Sequence, residues 1–387
     1  MANEMDFLNG YRTLANCEFD DSERSQVAKQ IIDEMQFSSI MNTEASVMEA
    51  NGDFEHKAYR DNELDNGAEF LAFDEGFSKS GFTYDEECSV RMGRIAEAKA
   101  YRKNQTRYDS NAEALRRARD LQKAADAMNR KDARSLVYGG TNSVVGKGYD
   151  SKAYNGLASF TNSLYDLRDV YKAIDEDRIP FTGKDSCITI DAREYGPSGA
   201  VDPVDGKAGS IFAIVWGPDY VTKLYPKADT VSYGITMEFH PQEKFEYEDR
   251  TTAERAKRFG YEDVYTFEKF TGLWVGNRWG LIRIANINMD SAQTDEQWKA
   301  QLERVEESAS NAMRLFDVAG VTARTSWYTN GALVQKFKQI RAAKQVYVAG
   351  VSAQGQPQHI DMQIPFMLLD SVQLKNELTM SQFEKIV

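Results

Sequence analysis

The sequence predicts an α+β fold, on three observations. Several segments repeat apolar residues every three or four positions, the spacing of a helix with one buried face. The longest apolar runs, Ile211–Gly217 (IFAIVWG) and Pro365–Asp370 (PFMLLD), have strand length. The helical and strand-like stretches follow one another without a regular βαβ beat, which argues against a doubly wound sheet.

In chain order, residues 1–48 mix polar and short apolar clusters. Val27, Ile31 and Met35, with Ile32 beside them, predict a helix over Gln26–Phe37, and the remainder reads as an extended arm. Glu49–Glu87 holds 12 acidic and three basic residues, net −9, with seven aromatics and no helical period. Such a segment suits a long, solvent-facing loop or hairpin with one adhesive side. The sign then reverses: Arg91–Arg134 has 13 basic and six acidic residues, net +7.

Within that basic stretch, Ser110 and Glu113 form a capping-box pattern. Ala112, Leu115, Ala118, Leu121, Ala125 and Met128 then predict a helix to near Ala133, roughly 36 Å long. Its narrow apolar stripe should lie across a sheet or a neighbour. The layout suggests a negative loop of one copy resting on the positive helix of the next; two ordinary solvated faces are the alternative. Candidate contact residues are Asp61, Glu63, Asp65, Glu69, Phe70 and Phe73 on the loop, and Arg116, Arg117, Arg119 and Lys123 on the helix.

Tyr138–Gly148 (YGGTNSVVGKG) reads as a turn region, and Leu164, Leu167, Val170 and Ile174 as one face of a second helix. Strands are expected at Cys187–Ile190, Ser210–Trp216, Tyr220–Leu224, Thr230–Phe239 and Gly272–Asn288, with a loop at Gly196–Gly209 and a charged surface excursion at Glu243–Tyr265. Thr294 and Gln297 cap a long helix whose core face is Trp298, Leu302, Val305, Ala309, Ala312 and Phe316. A further helix runs from Gly331 to Ala343 with Leu333, Phe337 and Ile340 inward. Strands at Val346–Ala349 and Ile360–Leu369 end the chain.

The 387 residues allow two or three domains or one elaborated unit. Sixty acidic against 47 basic residues, net −13, disfavour a protein whose main task is to grip phosphate backbones. Cys17, Cys88 and Cys187 are too few and too dispersed for a disulfide framework or a CxxC metal site, and read as free thiols of a reducing compartment. The first residues, MANEMDFLNG, lack the character of a secretory signal, and no apolar run approaches the ~18 residues of a membrane helix.

Catalytic patterns are missing. His56, His240 and His359 have no second ligand at metal spacing, and there is no HExxH. Gly140–Lys147 spaces its glycines wrongly for a phosphate loop, and Gly148 stands where a magnesium-binding Ser or Thr belongs. No GxSxG elbow occurs, and Asp202–Gly206 does not meet calcium-loop spacing. Paired acids such as Glu306–Glu307, or Asp185 with Asp191, are too common in an acidic chain to mark a site. No catalytic, metal or cofactor residues are assigned.

Several short segments carry a resemblance when taken in order. Ser210–Lys227 (SIFAIVWGPDYVTKLYPK) sets a strand with Trp-Gly before a Tyr-Pro-Lys. Around it stand Tyr154–Leu157 (YNGL) after a Gly-rich turn, Phe181, Arg278-Trp279, Arg283–Ile287 (RIANI), Trp327–Asn330 (WYTN), Ile364-Pro365 and Asp370. Over residues 138–375 this order resembles the major capsid proteins of tailed bacteriophages, in the podovirus-like branch with the HK97-type shell fold. Gln363, where the family commonly has glycine, and Gly331, where it often has arginine, depart from the pattern.

The resemblance implies an HK97-like subunit: N-terminal arm (1–48), extended loop (49–87), peripheral domain with a long spine helix (88–138), mainly axial domain (139–355) and C-terminal strands (356–387). Residues 272–288 are left free to return to the peripheral domain. It further implies a non-enzymatic subunit whose hexamers and pentamers form an icosahedral head around double-stranded DNA. Partners would be other copies, a scaffolding protein, a portal and weakly contacted DNA, without a membrane or cofactor. Its place would be the virion, and the host cytoplasm during assembly. A cellular encapsulating shell or another virion component of the same fold, and a soluble hydrolase with a carboxylate site, are the alternatives.

Overall fold

The computed structural model describes residues 39–61, 85–102, 110–141, 143–144, 150, 152–175, 187–196, 199–201, 203, 206–229, 232–248, 257–318, 325–344, 347–351, 357–360, 368–369 and 372–387. The Gln26–Phe37 helix, Cys17, Phe181, Gln363, Ile364-Pro365 and Asp370 lie outside them.

Two sheets organise these residues. In the first, β1 (Val47–Glu49), β9 (Val221–Tyr225), β11 (Lys257–Val275) and β10 (Ile235–Glu248) follow one another, and β4 (Gly93–Arg102) pairs with β11 over Gly93–Arg102. The long helix α2 (Ser110–Tyr138) lies across this sheet, as its stripe predicts. Ala124, Ala125 and Met128 pack against Ile235 and Phe267, with Leu121 and Ile95 at the margin. The helix runs five residues past Ala133, because Leu136, Val137 and Tyr138 continue its buried side into a second core. The side chains of the Ser110–Glu113 capping box lie outside the described set.

Within the stretch expected as a charged surface excursion, residues 243–248 and 257–265 are strand. β10 and β11 make a long antiparallel hairpin paired from Ile235–Lys269 out to Glu248–Lys257, with a register shift between His240 and Glu243. The dense charge of this stretch hides a strand pattern in the sequence. Pairing along two neighbours, which composition does not reveal, decides the state. The hairpin begins at Ile235, not at Thr230.

The second sheet has the order β16 (Leu368–Leu369), β17 (Val372–Asn376), β13 (Thr325–Thr329), β8 (Ala208–Val215), β12 (Leu281–Asn288), β5 (Ile188–Asp191). Its central strands β8 and β12 are buried on both faces. Ile211, Ala213 and Val215 of β8 point into the core under α5 (Asp295–Val318) and α6 (Gly331–Lys344). Phe212 and Ile214 point into the other, where they meet Leu136, Val137 and the short helix α3 (Leu157–Phe160). On β12 a register shift between Ile284 and Ile287, with Asn286 at φ 61°, brings both isoleucines onto the α5 side.

The α5 cap is reciprocal: Thr294 N–H donates to Gln297 Oε1 at 2.8 Å, and Gln297 N–H to Thr294 Oγ1 at 3.3 Å. Trp298, Leu302, Val305, Ala309, Ala312 and Phe316 are all buried, as are Leu333, Phe337 and Ile340 on α6. Helix α4 (Leu167–Asp175) seats Val170 in the same core. The expected Gly196–Gly209 loop contains part of a small hairpin, β6 (Glu194–Gly196) with β7 (Gly199–Val201), and β8 already starts at Ala208.

The YNGL segment has a steric reason. Gly156 N–H donates to Gly139 O at 2.9 Å where the end of α2 meets the strand-like residues 154–156. A Cβ on either glycine would collide with the Ser135 carbonyl, so only glycine lets the two backbones approach.

Candidate functional site

Met128 belongs to the buried stripe of α2, and one helical turn later the stripe carries a carboxylate, Asp132. It is fully buried and receives Lys223 Nζ from β9 and Lys269 Nζ from β11, each at 2.7 Å on Oδ2. Tyr154 OH donates to Oδ1 at 3.0 Å. Lys223 also donates to Asn42 Oδ1 at 2.9 Å on α1 (Ile40–Glu44). One acid thus ties the long helix, two strands, the YNGL segment and the N-terminal side of the chain.

Burial pushes the Asp132 carboxyl up, but the charges of Lys223 and Lys269 and their hydrogen bonds outweigh it and hold it far below the carboxylate range. Burial pulls the Lys269 ammonium down; Asp132 opposes this and Lys223 adds to it, leaving Lys269 at about 8. The Tyr154 phenol is pushed up by burial and then by Asp132.

Three further acids fasten the two ends of the described chain to the sheets. Glu384 accepts from Arg283 Nη2 at 2.8 Å, from Tyr138 OH at 2.5 Å and from the Ser210 hydroxyl. Glu377 accepts from Ser39 Oγ at 3.0 Å and from Met41 N–H at 2.8 Å. Glu44 accepts from Lys375 Nζ at 2.6 Å and from Tyr328 OH, which in turn accepts from Trp216 Nε1 at 2.9 Å. Burial first, and then Glu384 and Glu44 respectively, raise the phenols of Tyr138 and Tyr328. Residues 39–49, expected to end a free arm, are therefore packed against the sheets, with Val47–Glu49 paired in parallel to Lys223–Tyr225.

These acids escaped the sequence reading, which treated carboxylates as surface. A signal existed for Asp132, an acid in phase with the buried stripe, and for Arg283, a cation inside the apolar run LIRIANI. Glu377 and Glu384 sit among ordinary polar residues and gave none.

The loop residues Glu63, Asp65, Glu69, Phe70 and Phe73 lie outside the described set. Asp61 ends β2 (Glu55–Asp61), which pairs only with β3 (Asp85–Arg91) in a two-stranded hairpin. Arg116 and Arg117 lie on α2, where Arg119 and Lys123 are exposed. No described contact joins the two groups. Cys88 and Cys187 are buried free thiols, and His240 is exposed. Among the described residues no group of three or more His, Cys, Asp or Glu is placed to hold a metal ion, and no helix is long and apolar enough to cross a membrane.

Residues 203–379, β8 through β17, match the family described as major capsid protein GP7. No curated protein sequence matches. Among solved structures, the chain is similar to bacteriophage Epsilon15, at 14% identity over 89% of this chain and 88% of that one, TM-score 0.49. It is also similar to the procapsid of bacteriophage JBD30, at 9% identity over 93% and 100%, TM-score 0.39. A third is the SrpI encapsulin complex from Synechococcus elongatus, at 11% identity over 64% and 87%, TM-score 0.30. The capsid family's pattern thus runs through strands of both sheets, over residues 203–379, and supports reading the chain as a structural shell subunit of the phage major capsid kind.

Proposed function

We propose that this subunit forms hexamers and pentamers of an icosahedral head around double-stranded DNA, using residues 1–38 and the 49–87 loop to hold neighbouring copies. The observation that carries this reading is the β2–β3 hairpin. Seven residue pairs long, it packs His56, Ala58, Cys88 and Val90 near Leu224 and Trp274 at its root and carries Tyr59, 68% exposed, toward its far end. A two-stranded ribbon is at best marginally stable in water, so this far end calls for a partner outside its own chain.

The domain reading follows the strands. In this reading the peripheral unit gathers α2 with the sheet of β4, β9, β10 and β11, and the axial unit holds β5, β8, β12, β13, α5 and α6. A scaffolding protein and a portal are the expected assembly partners, working in the host cytoplasm. The net charge of −13 suits a wall that encloses DNA without gripping it.

Electron microscopy of the expressed protein, alone and with its scaffold, tests the proposal. Closed shells with hexameric and pentameric vertices are expected. Discrete monomers under every assembly condition would overturn it.

A further inference from the structure

Asn42 Oδ1 accepts from Lys223 Nζ at 2.9 Å, and both residues are buried. The other end of the same amide, Nδ2, has no hydrogen-bond partner among the described residues, a costly state for a buried donor. The cluster is also unbalanced in charge. Lys223 and Lys269 share one oxygen of Asp132, so two buried ammonium groups face a single acid. Asn42 and the Tyr154 phenol, which touch the same groups, bring no charge. An amine, an amide and a carboxylate therefore meet out of water, with the amine in contact with both of the others. A carbonyl bond is about 1.2 Å long, so Asn42 Cγ lies no more than about 4.1 Å from Lys223 Nζ. A turn of the amide about its last torsion, which is soft in asparagine, presents the face of Cγ to the nitrogen.

We propose that Lys223 and Asn42 of one chain join in an isopeptide bond, with Asp132 moving the protons. Nζ gives one proton to Asp132 Oδ2, and the freed electron pair attacks Asn42 Cγ. A second Nζ proton passes to Nδ2, the Cγ–Nδ2 bond breaks, and ammonia leaves with the proton that Asp132 held. The charge of Lys223 departs as ammonium, the carboxylate is restored, and no oxidant or further reactant is consumed. The product removes both anomalies: the unpartnered Nδ2 is gone, and Lys223 no longer competes with Lys269 for Asp132. It fastens α1 to β9 covalently across 181 positions of sequence. The reaction is slow. Despite burial, the two lysine charges hold the Asp132 carboxyl far below its ordinary range, so it takes the Nζ proton rarely. The freshly folded chain keeps its ion pairs, and the bond accumulates with age. None of this depends on how copies assemble.

The test follows mass. Full-length chain is unfolded in urea, refolded, held at physiological temperature and sampled over weeks by intact mass and by tryptic mapping under denaturing conditions. A growing species lighter than the sequence mass by one ammonia is expected, with a branched peptide joining residue 42 to residue 223 and no cleavage after Lys223. Chain kept in urea, Asn42→Ala and Lys223→Met should each hold their full mass. Asp132→Asn combined with Lys269→Met, which strands one lysine fewer than Asp132→Asn alone, should form the branched peptide roughly a hundredfold more slowly in the fraction that refolds. A refolded wild-type chain that keeps its full mass overturns the inference. So does an ammonia loss that maps to a succinimide or to another pair, one that persists in Asn42→Ala, or one equally fast in urea. The wild-type map decides the bond whether or not a variant folds. A branched peptide at the wild-type rate in the double variant overturns the part given to Asp132.

Discussion

Asp132 on α2 and Lys269 on β11 are 137 residues apart in sequence and 2.7 Å apart in space, with neither side chain more than 3% exposed. Lys223 reaches the same carboxylate oxygen, so two buried ammonium groups share one acid. The joint is strong in geometry and carries an excess positive charge.

Asp132→Asn removes the carboxylate that both lysines contact and leaves two buried ammonium groups without its charge. Breaking a buried pair this way costs about 3–5 kcal/mol. Urea unfolding of the unassembled chain should show a fall of that size with an unchanged m-value. A loss below about 1 kcal/mol, the scale of an exposed pair, would show the joint to be solvated.

Lys269→Met removes the excess charge while keeping the stem, and the sign of its effect depends on pH. The folded-state pKa of Lys269, about 8, lies below the ordinary 10.5. Below about 8 both states hold the proton and the folded state bears the cost. As pH rises toward 10.5 the folded state binds fewer protons than the unfolded one, so wild-type stability gains, by on the order of 3 kcal/mol in all. The variant should match or exceed wild type at pH 7 and lose that advantage by pH 9.5. Paired denaturation curves at the two pH values check this; a difference that does not change with pH refutes it.

Glu377→Ala frees Ser39 Oγ and the Met41 amide, both of which it accepts from. Residues 39–45 should exchange amide hydrogen faster while β8, buried along its full length, stays protected. Hydrogen-exchange mass spectrometry reads both segments; uniform exchange across the chain would mean that the clamp is global.

Replacing residues 62–84 by a short Gly-Ser turn should leave a folded, soluble chain that no longer assembles. Reversing Asp61, Glu63, Asp65 and Glu69 should slow assembly most at low salt, where screening is weakest. Reversing Arg116, Arg117, Arg119 and Lys123 as well should partly restore the rate; a rate that stays slow would remove the helix as the partner. Light scattering at two ionic strengths follows the kinetics; normal shells from the deletion would falsify the loop's role.

The sequence by itself determined the local elements whose burial repeats at short range. The stripe of α5, the Thr294–Gln297 cap and the apolar run of β8 were legible because each is a pattern among near neighbours in the chain, and the ordered short motifs carried the resemblance to capsid proteins. Only the tertiary structure decided that residues 243–248 and 257–265 are strand, since their state follows from pairing between β10, β11 and β4, and that residues 39–49 are fastened down. The same holds for the buried acids. Whether Asp132 or Glu384 is a solvated charge or a joint depends on cations 91 to 137 positions away along the chain, and for Glu384 also on the Tyr138 phenol 246 positions away. Short-range periodicity records which face is buried; it holds no record of which distant charge will be buried with it.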